Sequence, residues 1–267
     1  MLKKVILWVL LALVVVMLLA VGGIVVYAQL NTANPQPVAL AAMQSTEAVE
    51  VSDGEWLVFT PKQSTPDTGF IFYPGGLVDP RAYAPYAQDI AAQGYLVVIV
   101  PMPLNLAVFG SNKATDVIAA YPEIENWVVG GHSLGGTMAA RFAYQNPDSV
   151  DGLALWASYP ADGNDLRQSN LQVTSIYGTR DGLVTSDNIE SSRSLLPADS
   201  NFVAIEGGNH AQFGWYGPQG GDLPTTIGHP EQQTQTVVTT LDLLDMVQGK
   251  SPAFCCLPLV IRQIAHR

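Results

Sequence analysis

The sequence is poor in charge, in basic residues and in cysteine. Charged residues make up 13% of its 267 positions, and 12 basic residues stand against 23 acidic ones, for a formal net charge of −11. This balance excludes the basic surface that nucleic-acid-binding proteins present to phosphates. The two cysteines, Cys255 and Cys256, are adjacent, a spacing that suits neither a disulfide framework nor a metal site. A hydrophobic core, rather than covalent bridges, must therefore stabilise the fold.

Motifs for metals and cofactors are also missing. The histidines form neither an HExxH sequence nor a paired cluster; they are His132, His210, His229 and His266. We therefore predict that the protein uses no metal and no cofactor. With 48% hydrophobic residues, the chain is long enough for one sizeable catalytic domain and too short for two.

A long hydrophobic run occupies the N-terminal region. Residues 5–27 carry no charge and, at about 1.5 Å per residue in a helix, can cross a hydrocarbon core. Lys3 and Lys4 precede the run, and the next basic residue is Lys62. By the positive-inside rule, the N-terminus stays in the cytoplasm and the rest of the chain lies outside it. We predict a membrane signal anchor over residues 1–28.

A cleaved export signal is the alternative to this anchor. The letters VYA end at Ala28 and place small residues at the spacing of a cleavage site, which would release a secreted domain. The apolar run exceeds the about 7–15 residues of a signal peptide core, and this favours the uncleaved anchor.

Composition divides the rest of the chain into three parts. Residues 29–46 are polar and contain proline, which predicts a tether that lifts the domain off the bilayer. Residues 47–248 are predicted to form the folded domain, and residues 249–267 a C-terminal tail. The apolar stretch 257–261 of this tail is expected to pack on the domain or to touch the membrane surface.

Hydrophobic patterning in residues 47–248 predicts an α/β fold. Asp53-Gly54 between two short alternating segments predicts a hairpin. Six unbroken apolar runs are typical of strands buried on both faces, namely GFIFYP, YLVVIVP, NWVVGG, DGLALWA, VTSIYG and NFVAIEG. Helical stretches separate the first four runs, with Gly94 as a predicted C-cap and Ser111 as a predicted N-cap. We predict a mostly parallel, doubly wound sheet flanked by helices, with ligands bound at the carboxyl ends of its strands.

The segment Gly131-His132-Ser133-Leu134-Gly135 matches the G-x-S-x-G pattern of a nucleophile elbow. An apolar strand precedes it and a helical stretch follows it, which is the context that the pattern requires. Side chains at the flanking glycines would collide with the neighbouring strand and helix. The alternative is a glycine-rich turn without catalysis.

A serine hydroxyl needs a general base that a carboxylate orients. Asp181 follows the run VTSIYG and His210 follows the run NFVAIEG, so both are expected in loops at the carboxyl ends of strands. The alternatives are an ordinary Asp-Gly turn at Asp181 and a surface histidine at His210, with His229 as the other downstream candidate.

Backbone amides are the predicted donors to an oxyanion. The amide after the nucleophile, Leu134, would supply one donor. The loop PGGLVDP after the first buried run would supply the other, with Leu77 first by position and Gly76 next.

Four segments in this order carry a family resemblance: YPGGLV, GGHSLGG, YGTRDGLV and GGNHAQFGWYG. The chain resembles the α/β-hydrolase superfamily over roughly residues 50–247, and in particular its small, lidless, often membrane-anchored group related to dienelactone hydrolases. The resemblance implies Ser133 as nucleophile, Asp181 as orienting acid and His210 as base. The chain departs from dienelactone hydrolases proper at the nucleophile elbow, where it has Ser133 and they have cysteine.

These observations predict a serine hydrolase that cleaves a small-molecule ester or similar acyl substrate through an acyl-enzyme intermediate. About fifteen residues separate LALWA from the next strand, too few for a large cap domain, so an open site is expected. The apolar loops 101–110 and 211–230 are the candidates to shape it, and a role in covering the surface is the alternative for the second loop. The alternatives are a non-catalytic binding domain on the same fold and an acyltransferase that uses the same triad.

Overall fold

The computed structural model describes residues 2–250, and an eight-stranded sheet forms the centre of this part of the chain. Its strands are β1 (Val49–Asp53), β2 (Leu57–Pro61), β3 (Thr68–Tyr73), β4 (Leu96–Ile99), β5 (Asn126–His132), β6 (Gly152–Trp156), β7 (Gln172–Gly178) and β8 (Asn201–Ile205). Their spatial order is β1-β2-β4-β3-β5-β6-β7-β8. β2 pairs antiparallel with β1 and β4, and the strands from β4 to β8 pair in parallel. The predicted mostly parallel α/β sheet is confirmed.

Each of the six apolar runs forms a strand of this sheet, and the predicted hairpin joins β1 to β2. Asp53 pairs with Leu57, which leaves residues 54–56 as the turn. All residues of β3, β4 and β6 are buried, because helices cover both faces of a parallel sheet.

Seven α-helices accompany the sheet in residues 2–250. They are α1 (Leu2–Asn31), α2 (Pro37–Ala41), α3 (Ala84–Ala91), α4 (Ala114–Ala120), α5 (Leu134–Gln145), α6 (Ser186–Ser192) and α7 (His229–Val247). On one face of the sheet, α3 and α7 cover a core rich in aromatic rings that includes Phe72, Tyr86 and Trp156. On the other face, α4 and α5 cover Val129 and Leu153.

The predicted caps have different outcomes. Gly94 adopts a φ of +104° just after α3, as a C-capping glycine does. Ser111 does not cap α4, which begins at Ala114. Instead, the buried hydroxyl of Tyr73 accepts a hydrogen bond from the Ala114 amide (2.8 Å) and donates one to the Ser111 carbonyl (2.9 Å). A side chain from β3 thus replaces the local cap.

Helix α1 is long and apolar enough to cross a membrane over the span Ile6–Asn31, with a mean hydropathy of 3.2 in its most apolar 18 residues. The residues after α1 differ from the free tether that their composition predicts. Ala33 forms a parallel bridge with Val78, and α2 buries Ala39 completely. Because the domain offers hydrogen-bond partners to this backbone, the segment packs against it. The tail features Cys255, Cys256 and residues 257–261 lie outside the described residues.

Candidate functional site

Ser133 lies between the end of β5 and the start of α5 in a strained backbone conformation. Its φ of +52° and ψ of −124° fall in a sparsely populated region for a residue with a side chain. Holding such a residue there costs on the order of 1–3 kcal/mol. The sharp turn leaves Ser133 partly accessible to solvent at the N-terminus of α5, whose dipole favours negative charge.

Close backbone packing explains the glycines around Ser133. A Cβ at Gly131 would lie 2.5 Å from the Tyr73 carbonyl oxygen, and one at Gly135 would overlap the carbonyl oxygens of Tyr73 and Pro74. Side chains at either position would force β3 and α5 apart. The Ser158 hydroxyl also donates to the Ser133 carbonyl at 2.7 Å, which holds the turn from the β6 side.

Asp181 and His210 form a buried pair at the carboxyl ends of β7 and β8. Asp181 Oδ2 lies 2.8 Å from His210 Nδ1, and their side chains are 0% and 1% exposed. The other carboxylate oxygen, Oδ1, accepts the amides of Leu183 (2.8 Å) and Val184 (2.6 Å). These two bonds fix the carboxylate, so its second oxygen orients the imidazole ring.

His229, the other downstream histidine, does not join this pair. It lies at the start of α7, where its ring stacks on Trp215 at a centroid distance of 3.6 Å and an interplanar angle of 7°. Its Nε2 lies 3.2 Å from the Tyr86 hydroxyl. Burial lowers the pKa of His229 to about 4.

Ser133 is adjacent in sequence to a residue that contacts His210. The ring centroids of His132 and His210 are 4.5 Å apart. Within residues 2–250, neither Ser133 Oγ nor His210 Nε2 makes a hydrogen bond to another side chain or to the backbone. Both atoms therefore remain available to a reacting group, and catalytic hydrogen bonds commonly tighten only when substrate binds.

Tyr83 and His132 form a second buried pair that the sequence analysis missed. The Tyr83 hydroxyl accepts the Gly75 amide at 3.0 Å and lies 2.9 Å from His132 Nδ1. Because the phenolic proton has no other acceptor in the described part of the chain, we assign it to His132 Nδ1. Burial, and then the neighbouring His210, hold the pKa of His132 well below its ordinary value. His132 is therefore neutral.

Three amides near Ser133 differ in their availability to an oxyanion. The Leu77 amide donates to the Asn105 carbonyl at 2.7 Å, so it is already engaged. The amides of Gly76 and Leu134 have no acceptor in residues 2–250. A Cβ at Gly76 would lie 3.0 Å from the Leu134 side chain, which shows how close these two residues are. Gly76, rather than Leu77, is the free amide on the loop after β3.

Asp222 links the loops of the Asp181–His210 pair. Its Oδ1 accepts the amides of Gly182 (3.0 Å) and His210 (3.3 Å), and its Oδ2 accepts that of Ala211 (2.8 Å). In the sequence it is one acidic residue in the glycine-rich loop 211–230, and no motif marks it. Its position 12 residues after His210 becomes meaningful only in the folded chain.

This part of the chain contains the kinds of groups that acyl transfer through a serine requires: a hydroxyl in a partly accessible turn, a buried imidazole–carboxylate pair and free amides. Residues 2–250 contain no cluster of three His, Cys, Asp or Glu side chains that could bind a metal ion.

Comparisons with known proteins agree with the fold. An esterase from the Planctomycetes species Thermogutta terrifontis, Est2, is 13% identical over 77% of this chain and 94% of its own, with a TM-score of 0.56. The structure of the same esterase phosphoramylated by tabun is 14% identical over 78% of this chain and 98% of its own, with a TM-score of 0.57. A predicted CIB-like hydrolase from Thermoplasma acidophilum is 16% identical over 74% of this chain and 98% of its own, with a TM-score of 0.55. Identities this low show a shared fold alone.

Sequence comparison gives the family. No curated protein sequence matches this chain significantly. A profile described as the Alpha/beta hydrolase family matches residues 69–234, which is more than half of the chain and runs from β3 into α7. The match contains the Ser133 turn and the Asp181–His210 pair. The chain therefore belongs to the alpha/beta hydrolase family.

Proposed function

We propose that this protein is a serine hydrolase that cleaves an ester or similar acyl substrate through an acyl-enzyme intermediate. The strained backbone of Ser133 carries the proposal. Glycine would adopt a φ of +52° without strain, and this turn already contains glycines at 130, 131, 135 and 136, yet position 133 is a serine. Strain retained at a polar residue supports a role for its hydroxyl.

The reaction would proceed in two halves. Ser133 Oγ attacks the carbonyl carbon and its proton passes to His210 Nε2, while Asp181 accepts the hydrogen bond from Nδ1 and stabilises the imidazolium. His210 then returns the proton to the leaving alcohol, and the acyl group stays on Ser133. In the second half, His210 takes a proton from a water molecule, which attacks the acyl carbon. His210 then returns the proton to Ser133 Oγ as the carboxylic acid leaves.

The amides of Leu134 and Gly76 are the proposed donors to the oxyanion. Both are free, and both belong to residues partly accessible to solvent next to Ser133. Removing such stabilisation typically costs about 10²–10³ in kcat. Leu77 is proposed to support the loop through its bond to Asn105 instead of donating to substrate.

We further propose that α1 is an uncleaved anchor and that the domain lies outside the cytoplasm. The length and hydropathy of α1 and the placement of Lys3 and Lys4 before its apolar run support this orientation. N-terminal sequencing of the mature protein, taken from the membrane and from the secreted fraction, tests it. We expect the sequence to begin at the original N-terminus, and a start at Gln29 would show that the helix is a cleaved signal.

We also propose a relation to the dienelactone hydrolases within the family. The four sequence segments YPGGLV, GGHSLGG, YGTRDGLV and GGNHAQFGWYG support this relation.

Labelling with a fluorophosphonate tests the catalytic proposal directly. The full-length protein in detergent should become labelled, the Ser133→Ala variant should not, and the exposed Ser191→Ala variant on α6 should label like the parent. A folded parent protein that resists the probe would overturn the mechanism and leave a binding domain on this fold. The substrate class is then examined with esters of different acyl length, followed by analysis of the products.

A further inference from the structure

We propose that the mouth of the Ser133 site faces the outer leaflet of the bilayer that holds α1, and that the substrate is an acyl ester of an amphiphile residing in that leaflet. The inference rests on the proposed serine hydrolase and its uncleaved anchor, and it adds the source and class of the substrate.

The first observation is that no spacer separates the apolar helix from the domain. Tyr27 and Leu30, in the last turn of α1, are 62% and 80% exposed, as lipid-facing side chains would be. Ala28, between them, is 3% exposed. The last turn of the helix thus has an apolar side turned outward and another side against the domain.

The second observation is that the chain leaving α1 is bonded to the loops of the site. The Ala33 amide donates to the Leu77 carbonyl (2.7 Å), and the Asp79 amide donates to the Ala33 carbonyl (3.0 Å). The Asn105 side-chain amide donates to Thr32 Oγ1 (3.0 Å). We call these residues the anchor junction.

The anchor junction includes the neighbour of the free Gly76 amide. Leu77 and Asn105 have positive φ values of 54° each, and the Leu77 amide bonds to the Asn105 carbonyl. Both conformations are unfavourable for residues with side chains and persist because these bonds hold them. The segment that leaves the helix therefore shapes the same loop that supplies the proposed oxyanion donor.

Helix length sets the height of this junction. The 28 residues from Lys4 to Asn31 span about 40 Å at about 1.5 Å per residue, close to the about 40–45 Å of a bilayer with its headgroups. With Lys4 among the cytoplasmic headgroups, Thr32 reaches the headgroups of the opposite leaflet. Leu77 pairs with the next residue, so the site lies at the membrane surface rather than above it.

The third observation is an apolar surface beside the junction. Val108 and Phe109 are 48% and 58% exposed on the short helix Ala107–Phe109, only a few residues beyond Asn105. Leu106 reaches back to the site, because a Cβ at Gly76 would lie 3.7 Å from it. Exposed apolar side chains beside a membrane helix favour insertion among lipids.

These features fit a lipid surface contacted by apolar side chains rather than by charge. The net charge of −11 gives no general attraction to anionic lipids. An amphiphile in the leaflet carries its ester group near the boundary between headgroups and acyl chains. It could therefore reach Ser133 by a short movement along the surface, without crossing water.

A pair of substrates tests the proposal in the full-length protein reconstituted into phosphatidylcholine vesicles. We compare a water-soluble short-chain ester with a long-chain fluorogenic ester dissolved in the same bilayer. The Val108→Asp/Phe109→Asp variant should lower the rate on the bilayer ester at least about tenfold more than it lowers the rate on the soluble ester. Tyr144→Asp, which changes an exposed aromatic residue on α5, is the control and should leave both rates unchanged. Equal rates on the bilayer ester for the parent and the double variant would overturn the inference.

Fluorescence provides a test that does not depend on activity. Phe109→Trp and Tyr144→Trp each add one tryptophan to the same background. Brominated phosphatidylcholine should quench the added fluorescence of Phe109→Trp at least about threefold more than that of Tyr144→Trp. Equal quenching would show that residue 109 does not meet the lipid.

The two proposals can fail separately. A parent protein that cleaves neither ester and resists the fluorophosphonate refutes the hydrolase, whatever the quenching shows. A labelled parent protein that cleaves the soluble ester and shows equal quenching at both positions keeps the hydrolase and removes the membrane-facing site.

Discussion

The Tyr83 hydroxyl lies 2.9 Å from His132 Nδ1 and, at the same time, accepts the Gly75 amide at 3.0 Å. One buried hydroxyl thus connects the residue before Ser133 with the residue before Gly76. The two sides of the proposed oxyanion site, which come from the ends of β3 and β5, are held in register by this contact.

Replacing Tyr83 with phenylalanine should loosen that register. The Gly75 amide would lose its acceptor, so we expect about 1–2 kcal/mol less stability and a fall in kcat on a soluble ester of about tenfold. Tyr73→Phe is a matched control, since it removes a buried hydroxyl that bonds to the backbone near α4. That variant should lose similar stability and keep its kcat. Equal effects of the two changes on kcat would contradict the role given to Tyr83. Urea unfolding and steady-state kinetics supply the measurements.

Substitutions of Ser133 should separate strain from chemistry. Both Ser133→Ala and Ser133→Gly should abolish hydrolysis and labelling, because both remove the hydroxyl. Glycine also relieves the φ of +52°, so Ser133→Gly should unfold with a free energy about 1 kcal/mol higher than Ser133→Ala. Denaturant titration of the two variants checks this. The same free energy for both would mean that the backbone at 133 stores no strain.

Asp222 is expected to act as a positioning residue for His210. Asp222→Ala would leave backbone amides of the Gly182 and His210 loops without acceptors, and we expect kcat to fall about 10- to 100-fold. Asp222→Asn keeps one accepting oxygen, and its kcat should lie between that of Asp222→Ala and that of the parent. The exposed Asp187→Ala on α6 is the control and should behave like the parent. If Asp222→Ala retained full kcat, its carboxylate would have no part in the site.

His229 should make stability depend on pH. Its pKa is about 4 in the folded protein against 6.5 for the ordinary side chain, because its ring is buried against Trp215. The unfolded chain therefore binds the proton first, so this contribution is complete above about pH 6.5 and is lost as the pH falls toward 4. Allowing for partial exposure, we expect a loss of about 2 kcal/mol.

The variant His229→Gln isolates this contribution. Its unfolding free energy, measured at pH 7.5 and at pH 4.5, should differ less between the two values than that of the parent. Parent and variant with the same pH dependence would show that His229 is not responsible.

The sequence by itself determined the strands and the turn of the site. Unbroken apolar runs mark β3 to β8. In β3, β4 and β6 every position is buried, because helices cover both faces of these strands, whereas only Ile205 is buried in the edge strand β8. The glycines around Ser133 are similarly readable, since the approach of β3 to α5 leaves no room for side chains. The positions of Asp181 and His210 after β7 and β8 follow from the rule that the loops at the carboxyl ends of parallel strands meet.

Tertiary structure decided which polar groups are engaged and which are free. Leu77 gives its amide to Asn105, Tyr83 reaches Gly75 and His132, and Asp222 joins two loops. Tertiary contacts also decided that the polar segment after α1 packs on the domain near Leu77 instead of forming a flexible tether. These contacts join residues that are distant in the chain, or depend on the shape of a loop, and neither composition nor periodicity encodes which amide meets which carbonyl.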